Sequence, residues 1–193
     1  ILKPAPMARI SYRKQIPANE HLTMQIASQV YGIETAANGL IFAAKGQPVY
    51  VTRRFDVLPD GSKLSQQDFC ALIGKTERTD GEEFKYNGSY EDIRRVIPAW
   101  PVAMEQFFRQ VVFNYLYGNG DAHLKNFSIL QQGDEYRLAP AYDLINTFVH
   151  VHGSDLGMSE GLSPDLHRSD AYARTGHPCR IDFAEFGRMI GVV

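Results

Sequence analysis

Between Tyr117 and Leu130 the chain reads YGNGDAHLKNFSIL, which sets a carboxylate (Asp121), an imidazole (His123), an ammonium (Lys125) and an amide (Asn126) within six residues. Four residues separate Asp121 from Asn126. One loop of that length can turn a carboxylate toward a nucleophile and offer a neutral oxygen to a cation some distance away. A second aspartate, Asp143, follows seventeen residues after Asn126 in YDL. The intervening FSIL and YRLAP flank QQGDE and predict a β-hairpin, which returns the chain beside its start. Asp143 is therefore expected to face Asn126 across a gap suited to magnesium, which takes one or two carboxylates and completes its shell with phosphates.

The D-x-x-x-x-N spacing is that of the protein-kinase catalytic loop, where the aspartate positions the substrate hydroxyl and the asparagine oxygen holds magnesium. Each residue also has a structural reading. Asp121 could close an Asx turn after Gly-Asn-Gly, and Asn126 and Asp143 could satisfy backbone donors. His123 could bond a carbonyl and fix the loop or join a phosphate site, and Lys125 could neutralise a transferring phosphoryl group or stay solvated. At the N-terminal end, Lys3 follows two apolar residues as the phosphate-binding lysine does in V-A-I-K. Glu20 near the first helix could pair with it, or be only an acid favoured at a helix N-terminus.

The elements that must position these groups are legible from periodicity and punctuation. The strongest helical signal runs from about Pro101 to Tyr117, with Met104, Phe107, Phe108, Val111, Val112, Tyr115 and Leu116 on one apolar face. Gly118-Asn119-Gly120 stops it. PANEHLTMQIASQVYG predicts a helix capped by Asn19 and stopped at Gly32. PVYVTRRF from Pro48 predicts a strand, followed by a turn at Pro59 to Gly61, and QQDFCALIG a short helix. Thr76 to Ser89 is expected as a surface loop from which Ser89 caps a helix through YEDIRRVI. His150 to Thr175 reads as loops with short helices, and DFAEFGRMIG as a terminal helix capped by Asp182. Strand and helix mix over the first sixty or so residues and helix dominates around the hairpin, so the expected fold is α+β, two-lobed, divided as 1–60 and 61–193.

The 193 residues are 44% hydrophobic and 22% charged, a globular composition with length for one core or two small lobes. A formal net charge of -2 supplies no global basic field for nucleic acid or anionic lipid, and Arg53-Arg54 and Arg94-Arg95 read as solvated faces. No apolar run approaches the roughly 20 residues of a membrane span, and no signal-peptide pattern opens the chain, so a cytoplasmic location is expected. Cys70 and Cys179 are too few for a disulfide framework and are expected as reduced thiols. The chain opens ILKPAP without methionine, inside what reads as a strand, and ends MIGVV just after an apolar run, so a fragment is expected.

Taken together, ILKP, PANEHLTMQIASQVYGI, RRFD, GNGDAHLKNFSIL and LAPAYDLINT resemble the HipA family, serine/threonine-kinase toxins of bacterial toxin–antitoxin pairs, from Ile1 to about Thr147. The resemblance implies a two-lobed protein-kinase-like (HipA-like) fold and transfer of a phosphoryl group from ATP, with magnesium, to a Ser or Thr hydroxyl of a protein. By it Asp121 is catalytic, Asn126 and Asp143 are magnesium ligands, and Lys3, steadied by Glu20, contacts the ATP phosphates. His123 and Lys125 are supporting candidates there. Thr52 to Phe55 would form the hinge that meets adenine, with Phe55 on its apolar side; Arg53 stands where family members often carry an acidic residue. A DNA-binding antitoxin of the HipB type is implied as partner, with no direct nucleic-acid binding and no membrane. The family's N-terminal subdomain and phosphate-covering loop would precede Lys3, in keeping with a fragment. Two rival functions fit the same residues: a catalytically inactive nucleotide-binding regulatory module, and a metal-dependent phosphohydrolase built on Asp121, His123 and Asp143.

Overall fold

The computed structural model describes residues 1–97 and 101–192. After β1 (Leu2–Pro4) the chain enters α1 (Ile16–Gln29), then β2 (Asn38–Phe42) and β3 (Pro48–Thr52). The three strands form an antiparallel sheet in the order β1-β3-β2, with Tyr50 between Lys3 and Leu40. β3 is the run expected from its β-branched and aromatic content, and its Tyr50 is buried. β2 was not anticipated, because NGLIF opens on a turn-like pair; pairing along all of β3 overrides that signal.

α1 corrects the predicted cap. It starts three residues before Asn19, with Gln15 at the cap position and Pro17 in the first turn, where a missing N–H costs nothing. Its buried face presents Glu20, Thr23, Met24 and Ala27.

The second sheet joins β4 (Ser65–Asp68), β5 (Ser128–Gln132) and β6 (Glu135–Leu138), all antiparallel and in chain order. The expected hairpin is present, with Gln132 opposite Glu135 and Gly133 in the turn at φ 61°. Gln66 to Asp68, read as the start of a helix, are strand instead, because Gln66 and Gln67 pair with Leu130 and Ile129. The helix α2 (Phe69–Leu72) begins only after Asp68, whose carboxylate accepts from Ala71 N–H at 2.9 Å. Within the polar stretch lies a one-turn helix, α3 (Glu77–Asp80), and Ser89 opens a 3-10 helix over Tyr90–Arg95, its N–H donating to Asp92 at 2.9 Å.

α4 (Pro101–Leu116) buries Met104, Phe107 and Val111 as expected. Leu116, assigned to the same face, is 62% exposed, whereas Phe113 is buried. The helix lies between two cores and so carries two stripes. Phe107 and Val111 pack with Phe69, Tyr90, Phe127 and Phe186, while Phe113 packs with Met24, Tyr50, Ala141 and Leu144. α5 (Asp170–Thr175) and α6 (Arg180–Met189) complete the chain. α6 begins before Asp182, which acts from inside the first turn by accepting from Cys179 N–H at 2.8 Å and Ser169 N–H at 2.7 Å.

Two features hold the site-bearing segments in place. A parallel bridge couples Thr35 to Ala141, with Ala36 N–H donating to Ala141 O at 2.9 Å and Ala141 N–H to Glu34 O at 2.8 Å. The segment around Gly157 lies against the backbone of the 119–126 loop so closely that a Cβ there would come within 2.5 Å of Ala122, and one on Gly120 within 2.1 Å of Ser154 O. Only glycine fits such approaches. No described helix is long and apolar enough to cross a membrane.

Candidate active site

The edge strand β1 carries Lys3 across from Tyr50, and the buried face of α1 turns Glu20 toward it. Lys3 Nζ lies 2.7 Å from Glu20 Oε1, makes a second ion pair with Asp143 Oδ1, and sits 5.5 Å from the Tyr50 ring centre. Spacing alone favours a surface lysine and a helix-start acid, and the fold instead brings the two together. Burial works against the Lys3 charge, but the carboxylates of Asp143 and Glu20 outweigh it and hold its pKa above the ordinary value. Burial pushes Glu20 above the usual carboxylate range against the opposing pull of Lys3.

Asp143 adopts a left-handed backbone conformation at φ 56°, which aspartate tolerates better than most residues. Its neighbours fix that turn. Asn119 Nδ2 donates to Asp143 O at 3.4 Å, and Tyr142 OH donates to Lys125 O at 2.7 Å. Both ends of the 119–126 loop are thereby tied to the segment that carries Asp143.

Asn19 forms a second tie. Its amide donates to Asn146 O at 2.9 Å and accepts from Asn146 N–H at 3.2 Å. The same amide nitrogen lies 2.8 Å from His150 Nε2, whose Nδ1 lies 2.9 Å from Ser11 O. A donating amide fits the ring tautomer with its hydrogen on Nδ1. The residue read as a helix cap thus latches α1, and with it Glu20, to the chain just after Asp143.

A cavity of about 290 Å³ opens beside the ion triad, lined among others by Lys3, Tyr50, Arg53, Phe55, Tyr142 and Asp143. Four sequence-predicted residues therefore meet at one opening. The Phe55 and Tyr142 rings are 5.4 Å apart, forming an apolar wall. Arg53 N–H is committed to Ala37 O at 2.8 Å, while Arg54 forks onto Asp56, with Nε 2.8 Å from Oδ1. That guanidinium holds the Asp56 carboxyl below the usual range.

On the adjacent loop Asp121 is half-exposed, and its Oδ1 accepts from Tyr86 OH at 2.6 Å. Asn126 Nδ2 donates to Asp121 O at 3.2 Å, so its Oδ1 is not needed for that bond. An amide oxygen and a carboxylate form an all-oxygen donor pair of the kind magnesium accepts. Among the described residues no group of three or more His, Cys, Asp and Glu side chains is placed to hold a metal ion, the donor set that the phosphohydrolase reading needs.

His123 and Lys125 take other places. Lys125 Nζ lies 3.4 Å from Asp68 and 5.8 Å from the Phe84 ring, and it does not line the cavity. His123 is buried, with Nε2 4.0 Å from Asp121 Oδ1 and with Nδ1 lacking a hydrogen-bond partner among the described residues. Burial lowers its pKa, against the pull of Asp121. The folded state therefore refuses a proton that the unfolded chain accepts, so this contribution to stability is lost as pH falls through the interval below the ordinary histidine value of about 6.5. His123→Gln is expected to flatten that loss, read from equilibrium denaturation across the interval; an unchanged slope would assign it to other groups.

Similarity to known proteins shows a kinase-like fold. HipA of Shewanella oneidensis, solved with HipB and its operator DNA, superposes with a TM-score of 0.63 at 21% identity, covering 98% of this chain and 49% of that one. The Helicobacter pylori proinflammatory kinase CtkA superposes at 0.54 with 20% identity, covering 74% and 48%. The chain belongs to the HipA-like C-terminal domain family, whose model matches residues 1–190. A Sinorhizobium fredii protein named "Putative kinase Y4mE" is 33% identical over 181 residues, covering 89% of this chain and 41% of that protein. A Haemophilus influenzae protein named "Putative kinase" is 28% identical over 216 residues, covering 100% of this chain and 60% of that protein. The chain thus spans about half the length of these relatives.

Proposed function

We propose that this chain is the ATP- and magnesium-binding catalytic region of a protein kinase that phosphorylates Ser or Thr hydroxyls. The observation that carries the reading is the meeting of Lys3 with Glu20 and Asp143 beside a cavity that Lys3 and Asp143 line together with Arg53, Phe55 and Tyr142. A kinase needs a lysine braced by a helix glutamate and an aspartate beside it before nucleotide can be held productively. In this reading residues 1–60 form the small lobe and 61–193 the larger one.

Adenine lies against the apolar wall of Phe55 and Tyr142, and Lys3, steadied by Glu20, orients the phosphates. Asn126 and Asp143 would hold magnesium, which when bound would neutralise charge developing on the phosphate oxygens. Asp121 directs the acceptor hydroxyl at the γ-phosphorus and takes its proton, as the new O–P bond forms and the bond to the β,γ-bridging oxygen breaks. His123 and Lys125 support the loop, His123 through packing and Lys125 through Asp68. Kinship with a HipA that was solved with HipB and operator DNA supports a toxin role opposed by a DNA-binding antitoxin.

Incubating the complete natural polypeptide with γ-labelled ATP and magnesium tests this. Label on phosphoserine or phosphothreonine is the expected result. ATP binding with no label on protein would favour the regulatory module instead.

A further inference from the structure

Among the described residues the Asp121 carboxylate accepts one side-chain hydrogen bond, and it comes from a part of the chain that the sequence left without a role. Tyr86 OH donates to Oδ1 at 2.6 Å. Tyr86 belongs to the polar loop after α3, and its backbone is held from two directions. Leu124 N–H, within the site loop, donates to Lys85 O at 3.1 Å, and Ser159 N–H donates to Tyr86 O at 2.8 Å. The ring itself packs edge-on against His123 at 5.0 Å between centres, with Lys85 Nζ 4.8 Å from its own centre. A hydroxyl fixed in this way is a preorganised donor. Burial, reinforced by Asp121, pushes its pKa up, so it keeps its hydrogen throughout the range in which a kinase works.

Asp121 needs such a support. Its side chain is 51% exposed, and a carboxylate free to turn about its terminal torsion presents its oxygens in many directions. Oδ1 faces Tyr86 and also His123 Nε2, 4.0 Å away, so the contacts on this carboxylate fall on one oxygen. We propose that Tyr86 is a positioning residue for phosphoryl transfer, holding Asp121 by Oδ1 so that Oδ2 meets the acceptor hydroxyl. The inference rests on the reading of Asp121 as the group that directs that hydroxyl.

Tyr86→Phe removes the one hydroxyl and keeps the ring contacts with His123 and Lys85. The assay is turnover of γ-labelled ATP with magnesium by the complete natural polypeptide, counting transfer to protein and to water together, with Asp121→Asn alongside. Misplacement of a reacting group by about 1 Å costs up to about 10²-fold in rate, so Tyr86→Phe is expected to lower kcat by about 10- to 100-fold. KM for ATP and the melting temperature should stay at the wild-type values, a split that a purely structural role would not produce. The inference is overturned if Asp121→Asn is inactive and Tyr86→Phe keeps kcat within about twofold, or if its KM rises in step with a fall in kcat. Wild-type turnover by Asp121→Asn would instead remove the reading of Asp121 itself, and no turnover by the wild-type protein would remove both.

Discussion

Asp121→Asn is expected to lower γ-phosphoryl transfer by about 10²- to 10⁴-fold, the range that a positioned general base contributes. The amide has the size and shape of the carboxylate, and its Oδ1 can still accept from Tyr86, whose hydroxyl lies 2.6 Å away. What is lost is the group that directs the acceptor hydroxyl and takes its proton. Asp121 is half-exposed and, among the described residues, carries no ion pair closer than the 4.0 Å contact with His123, so folding should be little affected. Affinity for ATP should also persist, because the cavity beside Lys3 is not lined by Asp121. Initial rates with labelled ATP, set beside ATP affinity and melting temperature, separate these quantities. Retention of more than about a tenth of the wild-type rate would contradict a base role of this size.

Asp143→Asn is expected to abolish the magnesium dependence of ATP binding and to lower transfer by at least about 10²- to 10³-fold, the size of effect seen when one preorganised electrostatic contact to the transition state is removed. The substitution isolates charge from backbone. Asp143 sits at φ 56°, and asparagine is among the residues that visit that region readily, so the turn is kept. Lys3 would retain Glu20, 2.7 Å away, and so remain charged and compensated. An alanine would be a poorer probe, since it would add strain at a left-handed position. ATP titrations with and without magnesium provide the measurement; equal magnesium enhancement in wild type and variant would remove Asp143 from the metal site.

Different parts of this site were legible to different degrees. The hairpin between Asn126 and Asp143 was plain because its signals are local: two apolar runs, a Gly-Asp turn and a period of two. Lys3 and Glu20 lie far enough apart, on a strand and a helix, that no sequence rule pairs them. The pairing exists because β1 lies on β3 and α1 packs across the same sheet. Asn19 has the composition of a cap and the place of a latch, since Pro17 already starts the helix and leaves the amide free for Asn146 and His150. Leu116 and Phe113 exchanged environments because α4 serves two cores, and a single apolar stripe describes a helix with one buried face. Tyr86 carried no signal at all in a polar stretch bounded by glycines.

By itself the sequence determined the α+β class, the hairpin, the long helix before it and the order of Asp121, Asn126 and Asp143 along the chain. These follow from hydrophobic period, turn residues and short-range spacing, which act over a few residues and need no distant partner. Tertiary structure decided which charges meet. Lys3 reaches Asp143 across 140 residues of sequence, Lys125 turns to Asp68, His123 is buried, and Tyr86 holds Asp121. Side-chain contacts between remote segments depend on how sheets and helices pack, and that packing is set by the two cores as a whole rather than by any motif within them.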